Sequence, residues 1–181
     1  MNVLRRTVAL ATICLIGGCG SGGDLEPGPT PAAELVIGFG HYGALKVGMS
    51  RDALLAATPV KLTEYGGNPA CAWLADSRYP VQAPYGELHV TLDDKNKLVG
   101  IDAPSAARTD RGVTVGSSRD QVIAAHDDPV DEGANETGDY MLFGSPNEGW
   151  LTFNLNSSGA VVLIRTGTKE YASGMNVCSG D

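Results

Sequence analysis

One helix start is written twice in this chain. Val47-Gly48-Met49-Ser50-Arg51-Asp52-Ala53-Leu54-Leu55-Ala56-Ala57 aligns with Val115-Gly116-Ser117-Ser118-Arg119-Asp120-Gln121-Val122-Ile123-Ala124-Ala125 at a constant offset of 68 residues. Ser50 and Ser118 stand where an N-cap hydroxyl meets the orphan amides of a first turn. Asp52 and Asp120 lie in that turn, where the helix dipole favours negative charge. Ser118 with Gln121 has the spacing of a capping box, and Ser50 with Ala53 does not. Met49 can staple onto Leu54, and Pro59 and Pro129 stop the helices soon after.

A second internal match follows at an offset of 63, between Gly86–Leu92 and Gly149–Leu155. Leu88, Val90 and Leu92 alternate, as do Leu151, Phe153 and Leu155, so each run reads as a strand with one buried face. Asp94-Lys95-Asn96 and Ser157-Ser158-Gly159 are the turns. Leu98–Ile101 and Val161–Ile164 are the return strands, and Ala70–Leu74 and Tyr140–Phe143 precede the hairpins. The expected fold is therefore α+β. It has two tandem repeats, 37–106 and 107–181, each of one helix and about three antiparallel strands. They form one sheet with both helices on one face.

The N-terminus carries an address. Arg5 and Arg6 precede a ten-residue apolar run, Thr7–Ile16, the length of a signal-peptide core and too short for a membrane span of about 20 residues. Ile16-Gly17-Gly18-Cys19 follows as a lipobox: small residues let the processing protease close on the backbone, and the thiol takes the lipid. The alternative is an ordinary signal peptide that happens to carry a cysteine. Residues 1–18 are read as a lipoprotein signal peptide and Cys19 as the lipidation site. Residues 19–36, rich in Gly, Pro and Ser, are a flexible tether with too little apolar surface to fold. The expected location is the cell envelope. In a Gram-negative source it would be the periplasmic side of the outer membrane, since Gly20 rather than Asp follows Cys19.

Loss of Arg5 and Arg6 with the signal leaves 11 Lys and Arg against 21 Asp and Glu, a net charge of about −10. Such a charge repels nucleic acid and anionic bilayers, so lipid rather than charge must hold the chain at a membrane. Of four cysteines, Cys14 leaves with the signal and Cys19 is the lipid site. Cys71 and Cys178 remain, and in an oxidising compartment an even pair reads as a disulfide; the alternative is two unpaired buried thiols. No C-x-x-C or H-x3-H spacing supports a metal site.

Gly38–Ser50 (GFGHYGALKVGMS) and Thr109-x-x-Gly112-Val113-x-Val115-Gly116-x-Ser118, with the distant Cys71 and Cys178, carry a likeness to a known group. Over roughly residues 37–180 the chain resembles small bacterial lipoproteins with the tandem fold of the beta-lactamase inhibitor protein and of the SmpA/OmlA (BamE-like) outer-membrane lipoproteins. It departs from the GxGPLxLGMT opening at His41-Tyr42, and Lys46 replaces an apolar residue. The resemblance implies a fold and a compartment. It also implies pairing of a cysteine in the first repeat with one in the C-terminal tail.

Candidate chemistry is sparse. His89 should face outward between Leu88 and Val90, and His126 should sit at a surface helix end, where its charge suits the dipole. With His41, they form no pair at ligand spacing. No G-x-S-x-G elbow occurs. Asp93-Asp94-Lys95-Asn96 reads as a hairpin turn rather than a calcium loop. Asp127, Asp128, Asp131 and Glu132 read as an acidic loop around Pro129, solvated or open to a basic partner.

The aromatics carry more. Trp73, Tyr79, Tyr85, Tyr140, Phe143, Trp150 and Phe153 lie on or beside expected strands, and Trp150 has the opposite parity from Leu151, Phe153 and Leu155. Trp73, Tyr85, His89 and Trp150 thus outline a binding surface on the sheet's other face, unless the segment Lys169–Cys178 covers it. The functional expectation is a non-enzymatic, membrane-anchored protein-binding module with no cofactor, no metal and no nucleic acid. The alternatives are an inhibitor of an extracytoplasmic hydrolase or an uncharacterised enzyme.

Overall fold

The structure, a computed structural model, describes residues 35–78, 86–135, 137–174 and 178. The signal peptide, Cys19, nearly all of the expected tether, Tyr79 and Tyr85 lie outside the described residues.

In chain order the elements are β1 (Val36–Gly38), β2 (His41–Tyr42), β3 (Leu45–Lys46), α1 (Arg51–Ala57), β4 (Leu62–Asn68) and β5 (Cys71–Asp76). There follow β6 (His89–Asp93), β7 (Leu98–Asp102), β8 (Arg108–Thr109), α2 (Arg119–His126) and β9 (Asp131–Asn135). The chain continues through β10 (Gly138–Ser145), β11 (Gly149–Leu155), β12 (Val161–Gly167) and α3 (Lys169–Ala172). They build a four-stranded sheet, β3-β2-β1-β8, and an eight-stranded sheet, β4-β5-β6-β7-β12-β11-β10-β9.

The molecule is mostly β, which overturns the expected α+β architecture of helix-plus-three-strand repeats with helices on one face. The helices have only 7, 8 and 4 residues. Two turns of helix cannot cover half of an eight-stranded sheet. A second sheet shares the task, built largely from residues 36–46, the last residue of the expected tether and the opening of the expected first repeat, where no strand was expected. Its strands are two or three residues long, too short for alternation to register.

The repeated segment does form a helix at each copy. Ser50 Oγ accepts from the Ala53 amide, and Ser118 and Gln121 close a capping box. Each helix start is also tied to a hairpin turn of the large sheet. The Arg51 amide donates to the Asn96 carbonyl and the Arg119 amide to the Gly159 carbonyl, both at 3.0 Å. The same two arginines reach the sheet's opposite edges: Arg51 pairs with Glu64 of β4 at 2.7 Å, and Arg119 pairs with Glu132 of β9. Asp131 and Glu132 are therefore edge-strand residues, not loop residues.

The core lies between the large sheet's first face and its cover. Val90, Leu92, Leu98, Ile101, Met141, Phe143, Leu151, Phe153, Leu155 and Ile164 come from the sheet. Ile37, Tyr42 and Leu45 come from the small sheet, and Leu54 and Val122 from α1 and α2. The turn between β1 and β2 docks on the large sheet, where the Gly40 amide donates to Thr166 Oγ1 at 2.7 Å.

Among the described residues no helix is long and apolar enough to cross a membrane.

Candidate functional site

The large sheet's second face is organised by two rows of cross-strand neighbours. One runs Trp73, Thr91, Gly100, Gly167, Trp150 across β5, β6, β7, β12 and β11. The other runs Ala75, His89, Asp102, Arg165, Thr152 across the same strands. The first row is a trough: an indole at each end, and at its centre two residues without side chains.

Tyr171 of α3 fills this trough. A β-carbon at Gly100 would overlap the phenol ring, and one at Gly167 would stand 2.9 Å from it. The Tyr171 hydroxyl donates to Asp102 Oδ1 at 3.0 Å, and Asp102 pairs with Arg165 Nε at 3.3 Å. The Arg165 guanidinium lies 5.5 Å from the centre of the phenol ring. Burial, reinforced by the Asp102 carboxylate, pushes the Tyr171 hydroxyl far above its usual pKa, so it stays a neutral donor.

The rest of the C-terminal segment continues the cover. Thr152 Oγ1 donates to the Ala172 carbonyl at 2.6 Å, and Lys169 Nζ stands 5.3 Å from the Trp150 ring centre. Cys178 is bonded to Cys71 with α-carbons 5.2 Å apart, inside the range a disulfide requires. Asn68 Nδ2 donates to the Cys178 carbonyl at 2.6 Å, and Trp73 Nε1 lies 3.3 Å from Cys178 Sγ. Of the two arrangements open from the sequence, Lys169–Ala172 thus lies over the Trp150 end and the centre of the trough, and Cys178 stands beside Trp73. Thr152, at outward parity, is buried beneath Ala172, and Asn154, also buried, donates to Asn135 Oδ1 at 3.2 Å.

The cover stops short of the β4–β6 end. There Tyr65 is 38% exposed. Its ring centre is 6.3 Å from that of Trp73 and 5.5 Å from that of His89, and its hydroxyl meets His89 Nδ1 at 3.2 Å. Trp73 and His89 are half-buried. Of the residues singled out in the sequence, the structure brings Trp73 and His89 together and puts Trp150 at the trough's far end. Sequence reasoning missed Tyr65, because β4 (LTEYGGN) lacks alternation, and missed Asp102, Arg165 and Tyr171, which lie apart in sequence. The paired glycines Gly100 and Gly167 were the available signal for a close approach.

His126 is not at the surface. It is 6% exposed, and the rings of Phe143, Phe153 and Phe39 stand 5.5, 5.2 and 6.1 Å from its own. Desolvation, aided by the nearby Arg111, lowers its pKa although Asp110 and Asp127 pull the other way. The dipole of a helix end is worth about 1 kcal/mol to a cation, less than an unpaired buried charge costs.

Among the described residues no three His, Cys, Asp or Glu side chains gather as a metal site. The Asp102–Arg165–Tyr171 group is occupied with itself: the Tyr171 hydroxyl donates to Asp102, and Asp102 pairs with Arg165. Compared with protein-family models, curated proteins and solved structures, the chain matches none.

Proposed function

We propose that this chain is a lipid-anchored protein of the cell envelope that binds a protein partner through the aromatic patch of Tyr65, Trp73 and His89, without chemistry of its own. The observation that carries the binding half is the unequal cover of one sheet face. The C-terminal segment lies over the Trp150 end and the centre, while Tyr65 stands uncovered against Trp73 and His89. Tyrosine, tryptophan and histidine offer large contact area with polar tips, the composition of protein-binding hot spots. Glu64 and Glu87 flank the patch in the sequence, and the chain's acidity favours a partner with basic groups at its rim. The anchoring half rests on the lipobox at Ile16–Cys19.

The binding test places a photo-crosslinking amino acid at Tyr65, and separately at Tyr140 near the opposite edge, in the full lipidated chain in its own cells. A discrete ultraviolet-dependent adduct at 65 and none at 140 supports the reading; adducts at neither or equally at both overturn it. The anchoring test is Cys19→Ala with fatty-acid labelling. Loss of label and release from the membrane fraction are expected, and unchanged retention with unchanged label refutes the anchor.

A further inference from the structure

We infer that His126 is an acid-sensitive latch, holding the end of α2 and the β1–β2 turn on the large sheet while its imidazole is neutral and releasing them when the imidazole is protonated.

The geometry is a junction. His126 ends α2, Phe39 lies in the β1–β2 turn of the small sheet, and Phe143 and Phe153 come from β10 and β11. Three separately built parts of the molecule therefore meet around one imidazole. Neither Nδ1 nor Nε2 has a hydrogen-bond partner among the described residues. A neutral imidazole in an aromatic cage is tolerated as a flat, weakly polar ring. An imidazolium there would carry two strong donors with nothing to receive them and a charge removed from water.

The charged groups around the cage do not supply a counter-ion. On the loop after β8 are Asp110 and Arg111, and Arg111 Nη1 donates to the Ala125 carbonyl at 2.8 Å. That places a cation at the helix end, against protonation of its neighbour. Asp127 follows His126 directly, but neither carboxylate bonds the ring. The phenylalanines of β1–β2, β10 and β11 bring no charge. The exit is also held in an uncommon shape: Asp127 has φ of 64° and ψ of −154°, a region that non-glycine residues rarely adopt.

The sign follows from linkage. The imidazole titrates below its usual 6.5 in the closed form and near 6.5 once released to water. Above that pH both forms are neutral and the latch is at full strength. As pH falls through 6.5 the open form gains a proton that the closed form does not. The open-to-closed ratio then rises by at most about tenfold per pH unit, levelling once the closed form protonates.

The test uses the whole mature chain and compares it with His126→Gln and His126→Phe, which cannot take a charge; the glutamine variant serves if the phenylalanine one packs badly. Amide exchange of α2 is followed from pH 7.5 to 5.0 after correction for the intrinsic chemical rate. The expected result is α2 opening that grows by as much as about tenfold per pH unit below 6.5 in the parent and stays flat in the variant. His41 and His89 remain in all three proteins and cancel. Equal pH response in parent and variant, or an NMR titration of folded His126 at or above 6.5, overturns the latch.

Discussion

Removing the Cys71–Cys178 bond perturbs two things of different size. The bond closes a loop of 107 positions. A cross-link across about 100 residues restricts the unfolded chain by roughly 4–5 kcal/mol in the chain-entropy account. The native side changes less, because the cover has its own anchors: Tyr171 in the glycine trough, Thr152 on the Ala172 carbonyl, and Lys169 over Trp150. What goes with the bond is local, chiefly the Asn68 and Trp73 contacts to Cys178. Cys71→Ser with Cys178→Ser, in the otherwise unaltered chain, should therefore keep the fold. Its melting temperature should drop by about 8 to 20 °C, at 2–4 °C per kcal/mol for a domain of this size. Calorimetry of the double variant, and of the parent with and without a phosphine reductant, gives the number. A drop below about 2 °C would refute the reasoning, as would two titratable thiols in the oxidised, folded parent.

Gly100→Ala should unseat the Tyr171 ring, lowering stability by about 1–3 kcal/mol by denaturant midpoint, while Gly159→Ala, with open space at its β-carbon, leaves that ring alone. Leu54→Ala, which empties a fully buried site under α1, should cost about 2–5 kcal/mol in the same assay. Burial pushes the Tyr42 phenol up to about 12. The folded state thus favours its neutral form: stability is fully present below the usual 10.0 and is lost as pH rises from there through about 12. Ultraviolet titration at the phenolate band should show a tyrosine step at about 12 in the parent, ahead of the still later Tyr171, that is missing in Tyr42→Phe.

The sequence made the inner strands legible because alternation is a statement about one buried face. Leu88, Val90 and Leu92, with Leu151, Phe153 and Leu155, lie in the core as that pattern requires. The caps were legible too, since Ser50 and Ser118 act within three residues. Three features could not be read this way. The edge strands β4 and β9 (LTEYGGN and DEGAN) have no apolar face to alternate with, β9 wholly so. The small sheet is made of pairings two or three residues long, one of them parallel and joining Val36 to Arg108. The centre of the second face is covered by Tyr171, whose seat depends on glycines from two strands far apart in sequence. His126 looked like a surface helix end for the same reason: its cage comes from three other elements.

The order of the eight strands carries a kinetic consequence. Every pairing within β4–β7 and within β9–β12 joins neighbours along the chain, so each group of four can zip up from its own turns. The joint between them does not have that help. β7 meets β12 through only three registered pairs, from Arg165 with Asp102 to Gly167 with Gly100, across more than 60 residues of intervening chain. Closing it costs loop entropy before any contact compensates. The α3 segment, which rests on β7, β11 and β12, has no seat until that joint exists. Folding should therefore run from two local meanders to their junction, then to the insertion of Tyr171, with oxidation of Cys71 and Cys178 last. An oxidant that acts before the junction closes would cross-link a chain whose cover has nowhere to lie.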